Sequence, residues 1–176
     1  NGSKAIVAGA GMVHQIYLPK VILPTIVVFV NSLKFLLMLP ILLIFLLLNG
    51  FGTNIYWVGL FPIMFCQFVL VWSVTSLGAA ILPFLPDLRY VIDNGLLLLM
   101  FVSGVFFSID GIGEPIKTLL YLNPVAILLE AYRSVLLESD WPSWSGLAYV
   151  LVMSGFLGAV ALWLLVSLDK RYPKVL

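Results

Sequence analysis

From Phe35 to Pro86 the chain runs 52 residues without an Asp, Glu, Lys or Arg, and a second charge-free run of 28 residues extends from Trp141 to Leu168. A helix of roughly 20 apolar residues crosses the hydrocarbon layer of a bilayer. The first run is broken by the turn-forming string Asn49-Gly50-Phe51-Gly52-Thr53-Asn54, so it holds two crossings. Hydrophobic residues make up 62% of the 176 residues and charged ones 10%, against about 45–50% and about 25% in soluble domains. One helical bundle accounts for this length, with too little polar sequence left for a second, water-soluble domain. The expected class is therefore an all-α, polytopic membrane bundle. Its single cysteine, Cys66, excludes an internal disulfide and a cysteine-based metal site, and its single histidine, His14, excludes a histidine cluster. Residues 1–18 lack a basic region followed by a compact apolar core, so no cleavable signal peptide is expected.

The spans are expected at about residues 21–48, 55–85, 90–109 and 146–168. The first contains Pro24, Asn31, Ser32, Lys34 and Pro40, and is long enough to tilt or kink. The second carries a patch of small residues, from Ser73 through Ser76 and Gly78 to Ala80, of the kind that lets helices approach closely in lipid. Residues 110–140 differ: Asp110, Glu114, Lys117, Glu130, Arg133, Glu138 and Asp140 are spread around the interruption at Asn123-Pro124. The pieces flanking that break are too short or too charged to span, and the stretch reads as a re-entrant or interfacial helical hairpin.

Basic residues favour the cytoplasmic side. Lys4 and Lys20 precede the first span, Arg89 lies between the second and third, and Lys170, Arg171 and Lys174 follow the last. All three sets share one side only with four crossings and a hairpin that does not cross, which places both ends in the cytoplasm and the hairpin outside. Five crossings would strand one of the terminal sets on the outer face.

Read in order, the polar punctuation is YLPK at 17–20, PDLRYV at 86–91, SGVFF at 103–107, NPVAILLEAYRSVLL at 123–137, and a basic tail. This pattern resembles the membrane subunit of bacterial ATP-binding-cassette exporters of polysaccharide, the type-2 permeases that move O-antigen, capsule and teichoic-acid chains. The most specific part is Asn-Pro followed by Glu130 and Arg133. The loop after the second span in such permeases reads Arg then Asp, whereas here Asp87 precedes Arg89. Members also carry an interfacial helix and two further spans before the point where this sequence starts, so it corresponds to the C-terminal two thirds of such a subunit.

The resemblance implies a multi-pass protein of the bacterial inner membrane that works as two permease copies with two nucleotide-binding subunits, on a lipid-linked polysaccharide such as that of lipopolysaccharide. No Gly-x4-Gly-Lys-Ser/Thr loop occurs in the chain, so ATP and Mg are expected on the partner, and neither an enzymatic activity, a cofactor of its own nor nucleic-acid binding is expected. The cytoplasmic segment 1–20 is implied as the coupling helix, with His14, Gln15, Tyr17, Lys20, Asp87 and Arg89 at the ATPase contact. An ordinary interfacial helix resting on lipid is the alternative for that segment.

Lys34 lies 14 residues beyond Lys20, about 21 Å along a helix. A charge that deep costs about 2.5–3.5 kcal/mol or more and turns toward a cavity or partner. With Asn31 beside it, Lys34 could meet the phosphate of a lipid-linked glycan, snorkel to the headgroups, or pair with a carboxylate elsewhere. Phe61, Phe65, Phe68 and Trp72 recur on one helix face, which suits either tolerant stacking on sugar rings along a translocation path or plain packing. Trp57, Trp141, Trp144 and Tyr172 fall at span ends and read as interface anchors. Glu114 with Lys117, and Glu130 with Arg133, can pair at i,i+3; beside Asn123 and Pro124 they form either an outer gate or solvated pairs of negligible energy. Other classes fit less well: the same fold carrying a drug or lipid, a membrane-embedded acyl or glycosyl transferase, which would need converging acid, base or metal groups, and an ion-coupled carrier, which would need intramembrane carboxylates.

Overall fold

The computed structural model describes residues 21–103 and 122–167, and among these there are helices and no strands. In order they are α1 (Ile22–Leu48), a 3-10 turn (Ile55–Gly59) leading into α2 (Leu60–Ile81), α3 (Leu88–Val102), α4 (Pro124–Arg133), a π-helical turn (Ser134–Glu138) and α5 (Trp144–Ser167). Three of the described helices are long and apolar enough to cross a membrane: Ile22–Leu48, Ile55–Ile81 and Trp144–Ser167. The fourth expected crossing begins as α3, whose 15 described residues stop at Val102, so the count of four is not established. Residues 104–121, with Glu114 and Lys117, lie outside the described residues.

Local chemistry explains the helix ends. α1 closes in a Schellman motif: Phe51 N–H donates to Leu46 O at 3.1 Å and Gly50 N–H to Leu47 O at 3.2 Å, with Gly50 at φ 89°, a backbone state that costs glycine nothing. α4 opens on Asn123, whose Oδ1 accepts the Val125 N–H at 3.0 Å, with Pro124 in the first turn where its missing N–H has no cost. The Asn-Pro pair is thus a helix start. Its Nδ2 also donates to Ser103 Oγ at 2.9 Å, so the end of described α3 and the beginning of α4 meet.

α2 and α5 are the spine of the molecule, and they run parallel. Cys66 faces Leu147 and Ser73 faces Ser154, so equal steps along the two helices keep them in register. Close approach depends on the small residues. The Ser73 hydroxyl proton is shared between Val69 O at 2.8 Å and Ser154 O at 2.7 Å, and a Cβ on Gly158 would stand 2.9 Å from Ser73 Oγ and 3.1 Å from the Trp72 ring. Parallel neighbours cannot be joined by a short loop. The chain between Ile81 and Trp144 must travel back along the bundle, and α3 and α4 lie on that return.

α4, ten residues or about 15 Å long, covers the first half of α2. Ile127, Leu128, Ala131 and Val135 pack with Leu60, Ile63, Cys66, Leu70, Leu147 and Val150 into the main core. Gly59 admits Val135 and Pro142, and Gly146 admits Ile127, whose Cγ2 would lie 2.8 Å from an added Cβ. The C-terminal end of α4 and its π turn therefore sit at the end of the bundle where α2 and α5 begin.

Candidate functional site

α1 leans on α2 along Gln67 and Val71, and a groove opens on either side of that contact; Phe35, Gln67 and Val71 line both. The first groove, ≈ 470 Å³, runs between α1 and α2 and takes its polar groups from Asn31, Ser32 and Gln67 and its rings from Phe29, Phe35, Phe65 and Phe68. The second, ≈ 650 Å³, is bounded by α1, α2 and α4 and is apolar apart from Gln67, Tyr132 and Arg133.

Hydrogen bonding sets which polar atoms remain available to a ligand. The Tyr132 hydroxyl donates to Gln67 Oε1, and the Phe35 ring meets the Tyr132 ring edge-on at 6.3 Å and 63°. This contact joins α4 to α2 and α1 between the two grooves, beside the apolar packing of α4 on α2. The bond uses Gln67 Oε1 and leaves its Nε2, a two-proton donor. Asn31 Nδ2 donates to Val27 O at 2.8 Å, which leaves its Oδ1 as an acceptor. The first groove thus offers one amide donor and one amide acceptor among aromatic faces.

The expected aromatic face divides in the folded chain. Phe65 and Phe68 line the groove, whereas Phe61, 76% exposed, lies beyond it. The Trp72 indole N–H donates to Thr25 Oγ1 at 2.9 Å and its ring abuts Gly158, so Trp72 ties α1, α2 and α5 together. Asn31 joins the phenylalanines, while Lys34 is exposed on α1 outside the groove lining. Among the described residues Lys34 has no ion pair.

Asp87 and Arg89 are exposed at the start of α3, where Arg89 lies 3.9 Å from Asp93 across one helical turn, a pair of small energy. His14, Gln15, Tyr17 and Lys20 lie outside the described residues. Of the expected outer-gate group, Asn123 and Pro124 start α4, and Glu130 and Arg133 approach to 3.8 Å with side chains 20% and 25% exposed. Sequence reasoning missed Gln67 and Tyr132 as site residues. Gln67, the one amide within the run from Ile55 to Ile81 beyond its first turn, was the available signal.

No family model matches the chain. It is similar to two proteins of Klebsiella pneumoniae, each described as an O-antigen export system permease protein RfbA. One is 22% identical over 139 residues, covering 78% of this chain and 54% of the relative, and the other 22% identical over 182 residues, covering 100% and 68%. A protein of the same description from Myxococcus xanthus is 30% identical over 166 residues, covering 92% of this chain and 62% of the relative. The chain thus spans between about half and two thirds of the length of these relatives.

Proposed function

The chain is homologous to O-antigen export permeases, and from that premise we propose that it forms the permease of an ATP-driven exporter that moves a lipid-linked polysaccharide across the bacterial inner membrane. The observation that carries the mechanism is the α1–α2 groove, in which Asn31 and Gln67 place an amide acceptor and donor among phenylalanine rings at mid-span. A lipid-facing surface has no use for spare amide groups. Sugar rings do: their C–H faces stack on Phe65 and Phe68 while their hydroxyls exchange hydrogen bonds with the amides, and stacking tolerates variation in hydroxyl stereochemistry. The neighbouring apolar groove suits the hydrocarbon anchor of the same substrate.

Lys34 extends this reading. An exposed ammonium near the middle of a 27-residue span is stable only beside water or an anion, and the phosphate that joins lipid to glycan supplies one. In the working exporter this face of α1 borders the conduit formed with a second permease copy. ATP is hydrolysed on a separate nucleotide-binding subunit, which contacts His14, Gln15, Tyr17, Lys20, Asp87 and Arg89. α3, continued to about residue 109, makes the fourth crossing, and the stretch of about 110–140 forms an outer hairpin in which Asn123, Pro124, Glu130 and Arg133 act as the gate.

Two experiments test these statements. The permease is expected to co-purify with an ATPase whose hydrolysis depends on it, and a strain lacking the permease is expected to lose its surface polysaccharide; normal polysaccharide in that strain would exclude the function. For topology, Gly52→Cys and Leu85→Cys in a Cys66→Ala background sit at opposite ends of the first two spans. An impermeant thiol reagent should label Gly52→Cys on intact cells and Leu85→Cys only after permeabilisation, and the reverse pattern inverts the orientation.

A further inference from the structure

At the end of the bundle where α2 and α5 begin, two loops far apart in sequence bring together an aromatic cluster that the groove does not use. The Tyr56 ring meets Trp141 edge-on at 5.4 Å and 74°, and Trp141 lies 6.2 Å from Trp144 with the two indoles tilted by 32°. Trp141 and Trp144 remain 44% and 57% exposed. The cluster is built on a firm base. Pro142, between the two indoles in sequence, is buried against Gly59, and Asn54 Nδ2 donates to Ser139 Oγ across the loops.

Ser139 adopts φ 55°, a left-handed state that is costly for a residue with a Cβ, and so turns the chain sharply after the π turn. The turn presents Asp140, whose Oδ1 accepts the Trp141 N–H at 2.7 Å and whose carboxylate is exposed. Ser143 and Ser145, also exposed, lie with their hydroxyls 3.1 Å apart.

Tryptophans at the end of a span ordinarily anchor it among lipid headgroups; here Trp141 packs against both Tyr56 and Trp144 in one cluster, and the charges beside it favour a neutral partner over an anion. Neither loop, 49–59 nor 134–145, contains a Lys or Arg, while the second contributes Glu138 and Asp140. Carboxylates repel phosphate, whether on a lipid or free in solution. They are strong acceptors for neutral hydroxyls, since a charged partner makes the hydrogen bond roughly twice as strong. Exposed aromatic faces beside carboxylates and serine hydroxyls, with no Lys or Arg in either loop, match a neutral sugar ring: apolar on its C–H face and rich in donors around its edge.

We propose that Tyr56, Trp141 and Trp144, with Asp140, form a second carbohydrate-binding platform at the outer mouth, which holds neutral sugar units of the chain as they leave the membrane. It rests on the export reading for the side of the membrane and the source of the glycan. The stacked rings supply affinity independent of linkage and hydroxyl stereochemistry, and Asp140 supplies the one directional contact. Such a platform resists backward sliding of the polymer between cycles.

The test uses the full-length permease in nanodiscs of zwitterionic lipid. Neutral oligosaccharides, released by partial hydrolysis from the producing strain's surface polysaccharide, are titrated in while tryptophan emission is followed. A saturable change is expected. Trp141→Leu and Trp144→Leu keep an apolar side chain suited to the interface, and each should weaken binding about tenfold or more; Asp140→Asn should weaken it too, and Trp163→Leu, exposed near the opposite end of α5, should not. Inorganic phosphate should not compete. The platform is excluded if the wild type gives no saturable change, or if the Trp141→Leu/Trp144→Leu double variant titrates like wild type. Should that double variant fail to reach the membrane, Asp140→Asn decides: unchanged affinity excludes the proposal. A permease that sustains surface polysaccharide yet binds no oligosaccharide removes the platform and keeps the export reading. Normal surface polysaccharide without the permease removes the export reading itself.

Discussion

Gly158→Leu is expected to abolish accumulation of the permease in the membrane, while Gly155→Leu, one turn earlier on the same helix, accumulates normally. The two changes add the same side chain and the same helix propensity. They differ in what the new Cβ meets: Ser73 Oγ at 2.9 Å and the Trp72 ring at 3.1 Å for Gly158, and nothing within 4 Å for Gly155. A Cβ alone could be absorbed by small shifts, but the remaining leucine atoms would force α2 and α5 apart. Overpacking costs about 1–3 kcal/mol and more where backbones must move. Separation also breaks the Ser73–Ser154 bond, an interhelical contact of about 0.6–2 kcal/mol in lipid, and withdraws Trp72 from Thr25. Lipid offers no hydrophobic drive to reassemble the pair, because the tails are as apolar as the side chains. Immunoblots of membrane fractions and the thermal stability of the detergent extract read the outcome. Equal levels of the two variants would show that the α2–α5 contact is not what holds the bundle.

Phe65→Ala and Phe68→Ala are expected to lower surface polysaccharide several-fold per molecule of permease, and Phe61→Ala to leave it unchanged. All three positions share a face of α2, but only Phe65 and Phe68 line the groove with Asn31 and Gln67. Phe65 is 58% exposed and Phe61 76%, so neither truncation opens a cavity of the kind that costs about 3–5 kcal/mol for a buried phenylalanine. Levels of these two variants should accordingly hold, and any fall for the half-buried Phe68 is removed by normalising to the permease present. The decisive measurement is the ratio of surface polysaccharide to permease in the membrane, taken for each variant beside wild type. An unchanged ratio for Phe65→Ala and Phe68→Ala would take sugar stacking out of the groove. An equal fall for Phe61→Ala would mean that the whole face lines the path.

Where the long apolar helices fall was readable from the sequence because it depends on the contrast between apolar and polar residues along the chain. α1 and α5 were expected at 21–48 and 146–168 and form at Ile22–Leu48 and Trp144–Ser167. The same holds for the Gly50 turn, whose Schellman geometry needs a glycine, and for the break at Asn123-Pro124, a cap and first-turn pair with a local mechanism. The early end of α2, at Ile81 rather than near residue 85, is hidden from hydropathy because Leu82 and Pro83 are as apolar as the span before them; its signal is Pro83, which has no N–H to continue the helix.

Which face of each span is buried could not be read at all. In water a helix advertises its inner face by apolar periodicity; in lipid the outer face is apolar too, and the signal vanishes. The small-residue patch from Ser73 to Ala80 suggested close packing without naming a partner, and only the fold matched Ser73 to Ser154, set Gly158 against Ser73 and made α2 and α5 parallel. Trp72, Phe61, Phe65 and Phe68 share one helical face by spacing. The position of α1 decided that two of them line a groove, one bonds Thr25 and one lies outside it. Composition along the chain determined which segments are long and apolar enough to cross a bilayer, because transfer from water to lipid acts on each segment separately. Packing between segments of equal polarity determined the rest, because there shape and a few hydrogen bonds are the only terms that differ.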